Sequence, residues 1–350
     1  MSEINIPEND LPPELIDDVD RLIDEAGITH NRALIRRILT SGILLGTDGT
    51  DRLDLKVTSA ALIEMRNAFR LFAPYRAVPK VTIFGSARTL PASGAYRAAH
   101  DVARALADDG WMVVTGAGPG IMQAAAEGAG PDMSIGVSIR LPFEEKANEV
   151  IGQDPKHVAM KYFFTRKLML VKESTGFICV PGGFGTLDEM FELLTLQQTG
   201  KAEPVPIVLL DEPGGTFWKN LEHYIRGTMM PAGVISPDDL DRVLITDSVA
   251  EAHAAIENFW HNYDSMRWVG DTLVLRLKHT PTDEEIAALS AQFSFLLKEG
   301  TIRRAEPFPP ERADHDKLEL PRLALVLNQF KVGSLFQLIN AINALPSAHV

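Results

Sequence analysis

The chain predicts an α/β fold: a doubly wound, Rossmann-like parallel sheet, preceded by a helical extension and followed by a small α+β domain. Two observations carry this. Between Pro79 and Tyr263, short runs rich in valine and isoleucine alternate with amphipathic segments, the pattern of a parallel sheet buried on both faces. Glycine-rich turns fall at the carboxyl ends of those runs, which is where open α/β sheets bind ligands.

Residues 1–78 read as the extension, with helices over Pro13–Ala26, His30–Leu45 and Thr58–Tyr75 around the glycine- and aspartate-rich stretch Gly46–Asp54. Within 79–263, KVTIFGSA is a strand and is followed by a helix to Asp109. WMVVTGAG is the next strand, a helix starts at Gly120, and SIGVSI is a strand that leads through a loop to a helix over Lys161–Ser174. GFICV, PIVLL and RVLIT are the remaining strands, with helices from Gly185, over Phe217–Met230 and from Ser248. In residues 270–350, TLVLRLKH, TIRRAEP and RLALVLNQF read as strands and TDEEIAALSAQFSFLLKEG and SLFQLINAINAL as helices, with PFPPERADHDK as a polar loop. That order makes a small α+β sandwich with an antiparallel pair.

Composition excludes several classes. The 350 residues carry 34 basic and 47 acidic side chains, a net charge of −13, which opposes a sequence-independent hold on nucleic acid. An anionic ligand then needs a local cationic clamp, because charges beyond a Debye length of roughly 8 Å are screened. The single cysteine, Cys179, sits in the apolar strand FICV, so it reads as core and neither a disulfide framework nor a zinc set can form. The acidic start MSEINIPENDLPPEL has no basic, apolar and small-residue leader, and no apolar run approaches the roughly 18 residues of a membrane span. A soluble, cytoplasmic protein without a membrane partner is the expectation.

The densest chemistry lies in PGGFGTLDE, Pro181–Glu189, where the strand ending at Val180 runs through a glycine turn into a helix. Glycines let backbone N–H groups crowd one anion, and the opening helix adds its positive dipole end. Gly182, Gly183, Gly185 and Thr186 therefore make a phosphate seat, with Glu189 beside whatever the phosphate carries. Thr186 and Glu189 also fit a capping box, in which both serve only the helix start. The glycines resist that reading, since each costs roughly 0.5–1 kcal/mol of backbone entropy.

Two further turns and a helix converge on the same edge. Phe84–Arg88 ends its strand on Gly85 and Ser86. Gly116-Ala-Gly118-Pro-Gly120-Ile-Met122 resembles a dinucleotide fingerprint with its third glycine one residue early and no acidic residue about 20 positions on, so a mononucleotide fits better than NAD. In YFFTRKLML, Arg166 and Lys167 precede the strand that feeds the seat; Arg166 can hold oxyanions in bidentate fashion and Lys167 is a second clamp, although a dibasic pair is also a common solvated face. His157 reads as a loop residue, and Met122 as a methionine near the bound base.

Together PGGFGTLDE, the upstream RK pair, FGSA and GAGPGIM resemble the LOG ("lonely guy") family, cytokinin riboside 5'-monophosphate phosphoribohydrolases often mislabelled as lysine decarboxylases, and YFFTRKLML and LPFEEKAN are similar to its longer bacterial members. The resemblance covers Pro79–Phe259. It implies hydrolysis of the N-glycosidic bond of a nucleoside 5'-monophosphate, without a cofactor, to free base and ribose 5-phosphate. It implies catalytic roles for Arg166 and Glu189, phosphate binding by the glycine-threonine loop, site positions at Glu144 and Thr195, and a homodimer or higher homo-oligomer as the working form. Two rivals stand beside it. One is a non-catalytic nucleotide or cofactor carrier or sensor; the other is a pyridoxal phosphate decarboxylase, for which Lys167 is the only pocket lysine on offer.

Overall fold

The computed structural model describes residues 11–141 and 147–349, in two compact units, Met1–Arg66 and Asn67–Val350. In the first unit lie α1 (Pro13–Glu25) and α2 (Arg32–Thr47). Arg36 pairs with Asp20 at 2.7 Å between those two helices. A third helix, α3 (Arg52–Phe72), begins six residues before the predicted Thr58, because the side chain of Asp51 accepts the N–H groups of Leu53 and Asp54 and starts the turn early.

The second unit is built on seven parallel strands: β1 (Lys80–Phe84), β2 (Met112–Thr115), β3 (Ser134–Ile139), β4 (His157–Met160), β5 (Gly176–Cys179), β6 (Ile207–Leu210) and β7 (Val243–Thr246). Their order is β4-β3-β2-β1-β5-β6-β7. The helices between them are α4 (Gly94–Asp108), α5 (Ile121–Met133), α6 (Phe163–Lys172), α7 (Phe184–Gln198) and α8 (Phe217–Tyr224), and α9 (Val249–Phe259) follows β7. On one face Val81, Ile83, Val113, Ile178 and Val208 pack with Ala99, Val102, Leu106 and Ile256 from α4 and α9. Full burial of one such aliphatic side chain is worth about 1.5–3 kcal/mol. Strand β4 was not expected: HVAM is four residues long and starts on a histidine, too short and too polar to be told from loop.

The strand order reverses between β1 and β5, with chain progression running outward on either side. A crevice opens there at the carboxyl edge, bordered by Gly85–Ser86 and by Gly182–Gly183.

The remainder of the unit is a four-stranded antiparallel sheet in the order β10-β11-β9-β8, formed by β8 (Tyr263–Val269), β9 (Thr272–Leu277), β10 (Leu297–Arg304) and β11 (Arg322–Leu327). It packs with α10 (Asp283–Gln292) and α12 (Leu335–Asn343) through Leu275, Leu289, Leu325, Leu338 and Ile342. The expected antiparallel pair is thus a larger sheet. Strand β8 starts at Tyr263, before residue 270, and β10 takes the residues LKEG assigned by pattern to a helix. The expected polar loop contains the short helix α11 (Pro309–Ala313) and buries Glu311 completely, with Arg276 at 2.8 Å and Arg322 at 3.3 Å. Among the described residues no helix is long and apolar enough to cross a membrane.

Candidate active site

Close approach of three loops builds the crevice. At Gly120 φ is +66° and an added Cβ would lie 2.3 Å from the Ser86 carbonyl oxygen, and that carbonyl accepts the Ile121 N–H at 3.0 Å. This locks the start of α5 to the turn after β1. A Cβ on Gly85 would strike the Ile121 side chain at 2.5 Å, and one on Gly182 would meet Thr186 Oγ1 at 2.2 Å. The Ser86 N–H donates to the Pro181 carbonyl at 3.3 Å, so the β1 and β5 loops are joined across the switch point.

Gly183 and Gly185 differ from these. Neither has a positive φ, and a Cβ on either would find open space. Nothing in the described chain demands glycine at these two positions, and both line the crevice. Gly183 is the N-cap of α7 and no side chain caps that end, so the first N–H groups of the helix lie beside open space, the arrangement that suits an oxyanion. The capping-box alternative does not form: α7 begins at Phe184, which puts Thr186 inside the first turn, buried, and Glu189 one turn further on.

The cavity over this seat has a volume of about 640 Å3. Of the expected site residues, Gly85, Ser86, Gly116, Met122, Arg166, Gly182, Gly183, Gly185, Thr186 and Glu189 line it. Glu189 Oε1 lies 3.8 Å from Arg166 Nη1, and the two side chains are 13% and 11% exposed. Arg166 is aimed by its Nε–H, which donates to the Val137 carbonyl at 3.0 Å. A Cβ on Gly116 would lie 2.0 Å from Arg166 Nη2, so that glycine makes room for the guanidinium. Burial pulls Arg166 below its ordinary pKa while Glu189 pulls it back up. Burial raises Glu189 against the opposing charges of Arg166 and Lys167, leaving it at about 7. A contact of 3.8 Å is too long for Arg166 to offset that desolvation fully.

Other expected positions do not line this cavity. Lys167 turns from the cavity and pairs with Asp188 at 2.9 Å and with Glu192; burial lowers its pKa, but the hydrogen bonds to Glu192 and Asp188 outweigh that and hold it raised. It is α6's tie to α7, not a clamp, and the pairing also leaves Asp188 facing Lys167 rather than the cavity. Thr195 is exposed and its hydroxyl donates to the Phe191 carbonyl at 2.7 Å; it follows Glu189 by six residues, more than a turn and a half along α7. Gly120 shapes the turn without reaching the cavity wall. Glu144 lies outside the described residues.

Sequence reasoning passed over Arg88 and Phe217, which also line the cavity. Arg88 stands in the FGSAR turn itself, so its signal was present; Phe217 arrives from α8 with none. Asn148 was also passed over: its Nδ2–H donates to the Gly118 carbonyl at 3.1 Å, and its backbone N–H donates to the Ala117 carbonyl at 2.8 Å. Those bonds hold the glycine turn after β2, where Ala117 adopts a left-handed φ of +57°. A non-glycine residue there carries strain of roughly 1–2 kcal/mol. Gly118 lines a second cavity, which shares Gly116, Met122 and Arg166 with the first.

Known proteins bear on this geometry. Residues 119–256 match the family model described as a possible lysine decarboxylase. The chain is similar to the cytokinin riboside 5'-monophosphate phosphoribohydrolase of Mycobacterium tuberculosis, at 31% identity over 44% of this chain and 81% of that protein. To the probable cytokinin riboside 5'-monophosphate phosphoribohydrolase LOGL3 of rice it is 30% identical, over 44% of this chain and 71% of that one. Among solved structures it is similar to the molybdenum cofactor binding protein of Rippkaea orientalis, at 20% identity and a TM-score of 0.37, covering 51% of this chain and 96% of that chain.

Proposed function

The chain belongs to the LOG family of cytokinin riboside 5'-monophosphate phosphoribohydrolases, and from that premise we propose that it hydrolyses the N-glycosidic bond of nucleoside 5'-monophosphates, AMP or a cytokinin riboside monophosphate, to free base and ribose 5-phosphate. The observation that carries the reading is a nearly buried carboxylate, Glu189, 3.8 Å from the Arg166 guanidinium and one turn into the helix whose uncapped start faces the same cavity.

The phosphate docks on the N–H groups at the start of α7, with Arg88 and Arg166 supplying charge. Glu189 then sits beside the ribose. Cleavage passes through an oxocarbenium-like state. Ionised Glu189 takes a proton from water as the water oxygen bonds to C1', the C1'–N pair leaves with the base, and the base nitrogen takes a proton from solvent. The negative carboxylate and the water are what the cationic sugar needs, and Arg166 keeps Glu189 oriented while holding the phosphate side. Binding energy from the remote phosphate positions C1', so nucleosides lose turnover as well as affinity.

The test is a panel of nucleoside monophosphates with the liberated bases identified. Wild-type chain releases base; Glu189→Gln lowers release by roughly a hundred-fold or more and still binds nucleotide. Equal turnover by that variant refutes the reading, and tight binding with no base released over hours marks a carrier or sensor instead.

A homodimer is the proposed working form. Helices α6 and α7, side by side through Lys167, expose Phe163, Phe164, Leu168 and Phe191 next to the crevice, apolar area that a second copy covers. Sedimentation of the wild type as a dimer and of Phe163→Glu as a monomer supports this; a monomeric wild type overturns it.

A further inference from the structure

Past Met122 and Arg166 the crevice continues into the second cavity, of about 670 Å3, walled by the loop after β2 and the ends of β3 and β4. A nucleotide with its phosphate on α7 and its ribose at Glu189 has this space ahead of its base. Resting on the hydrolase reading, we propose that Ser138, oriented by His157, reads an exocyclic N–H of that base, so that 6-amino purine nucleotides are preferred to 6-oxo ones.

Ser138 Oγ and His157 Nε2 are 2.8 Å apart, half-buried, and both on the cavity wall. The ring also hydrogen-bonds the Gly152 backbone, which raises the imidazole pKa, but burial outweighs that and lowers it. A carbonyl only accepts, so the ring proton faces Gly152 and Nε2 is left as an acceptor. The Ser138 hydroxyl then donates to His157, and its lone pairs face the cavity. An exocyclic amine meets them with a hydrogen. A 6-oxo group meets lone pair with lone pair, unless the hydroxyl swings away and strands Nε2.

Among the described residues, and apart from Arg166 at Glu189, the other polar side chains on this wall do not compete for the role. The Asn148 amide is engaged with Gly118 and with the Ile151 N–H, at 3.1 and 3.3 Å. Arg140, Glu149 and Gln153 are exposed and free to follow solvent.

The experiment compares AMP with IMP, as turnover in the wild type and as calorimetric affinity in full-length Glu189→Gln. A preference for AMP of about ten-fold or more is expected. Ser138→Ala removes the acceptor and His157→Phe frees the hydroxyl to donate; each brings the ratio towards one, while inhibition by ribose 5-phosphate stays at the wild-type level because its seat is intact. Equal use of AMP and IMP by the wild type, or a ratio that survives both substitutions, overturns the inference. If AMP binds preferentially and both variants cancel the preference but no base is ever released, the hydrolase reading falls and this one stands.

Discussion

At Glu189 burial works against the nearby cations, and with Arg166 3.8 Å away the carboxyl still stays at about 7, above its ordinary 4.5. The folded chain therefore holds this proton more tightly than the unfolded one. Stability that is fully present below pH 4.5 is lost as pH rises through about 7, on the order of 3 kcal/mol once the group is fully ionised. Glu189→Gln escapes that loss, so its stability relative to wild type should grow by roughly 2 kcal/mol from pH 5 to pH 8. Urea denaturation at the two pH values checks it; an unchanged difference means that Glu189 is not desolvated. If the proposed hydrolysis uses this carboxylate, kcat/KM should rise through about pH 7, because only the ionised form can take a proton from water; a flat pH–rate profile contradicts it. The pairing of Glu189 with Arg166 was legible in the sequence because motif and helix flank one strand. The outward turn of Lys167 was not, since adjacent residues on a helix diverge by about 100° and no pattern says which one faces the cavity.

Among the elements, the start of α7 carries the proposed function, and its three glycines separate a structural from a ligand-driven role. Gly182 is dictated by Thr186, whereas Gly183 and Gly185 have room for a side chain. Gly185→Val should fold at least as well as wild type, because glycine is the poorer helix former, and yet lose more than about ten-fold in AMP affinity by filling the oxyanion's space. Calorimetry and thermal unfolding together decide; unchanged affinity removes the seat from α7. Most elements were readable from apolar runs, but β10 was not. Its ladder with β11 shifts register twice and so breaks the period-2 alternation that marks a strand. Glu311, read as loop polarity, is held at zero exposure by Arg276 and Arg322, residues 35 and 11 positions away, a distance at which local pattern says nothing.

For the molecule as a whole, a net charge of −13 coexists with a cavity lined by Arg88 and Arg166, so the proposed anion binding rests on local charge and helix geometry. Alternation of runs announced a parallel sheet, but the order β4-β3-β2-β1-β5-β6-β7 and the second cavity it supports at β3 and β4 come from tertiary packing. The central claim is that a nucleotide phosphate sits at the switch point with its anomeric carbon facing Glu189. Crystals of the full chain soaked with AMP test it most directly. Phosphate density against the backbone of Gly183 and Gly185, with C1' within reach of Glu189, is the predicted result; AMP bound elsewhere, or turned so that its base occupies the glycine seat, contradicts it.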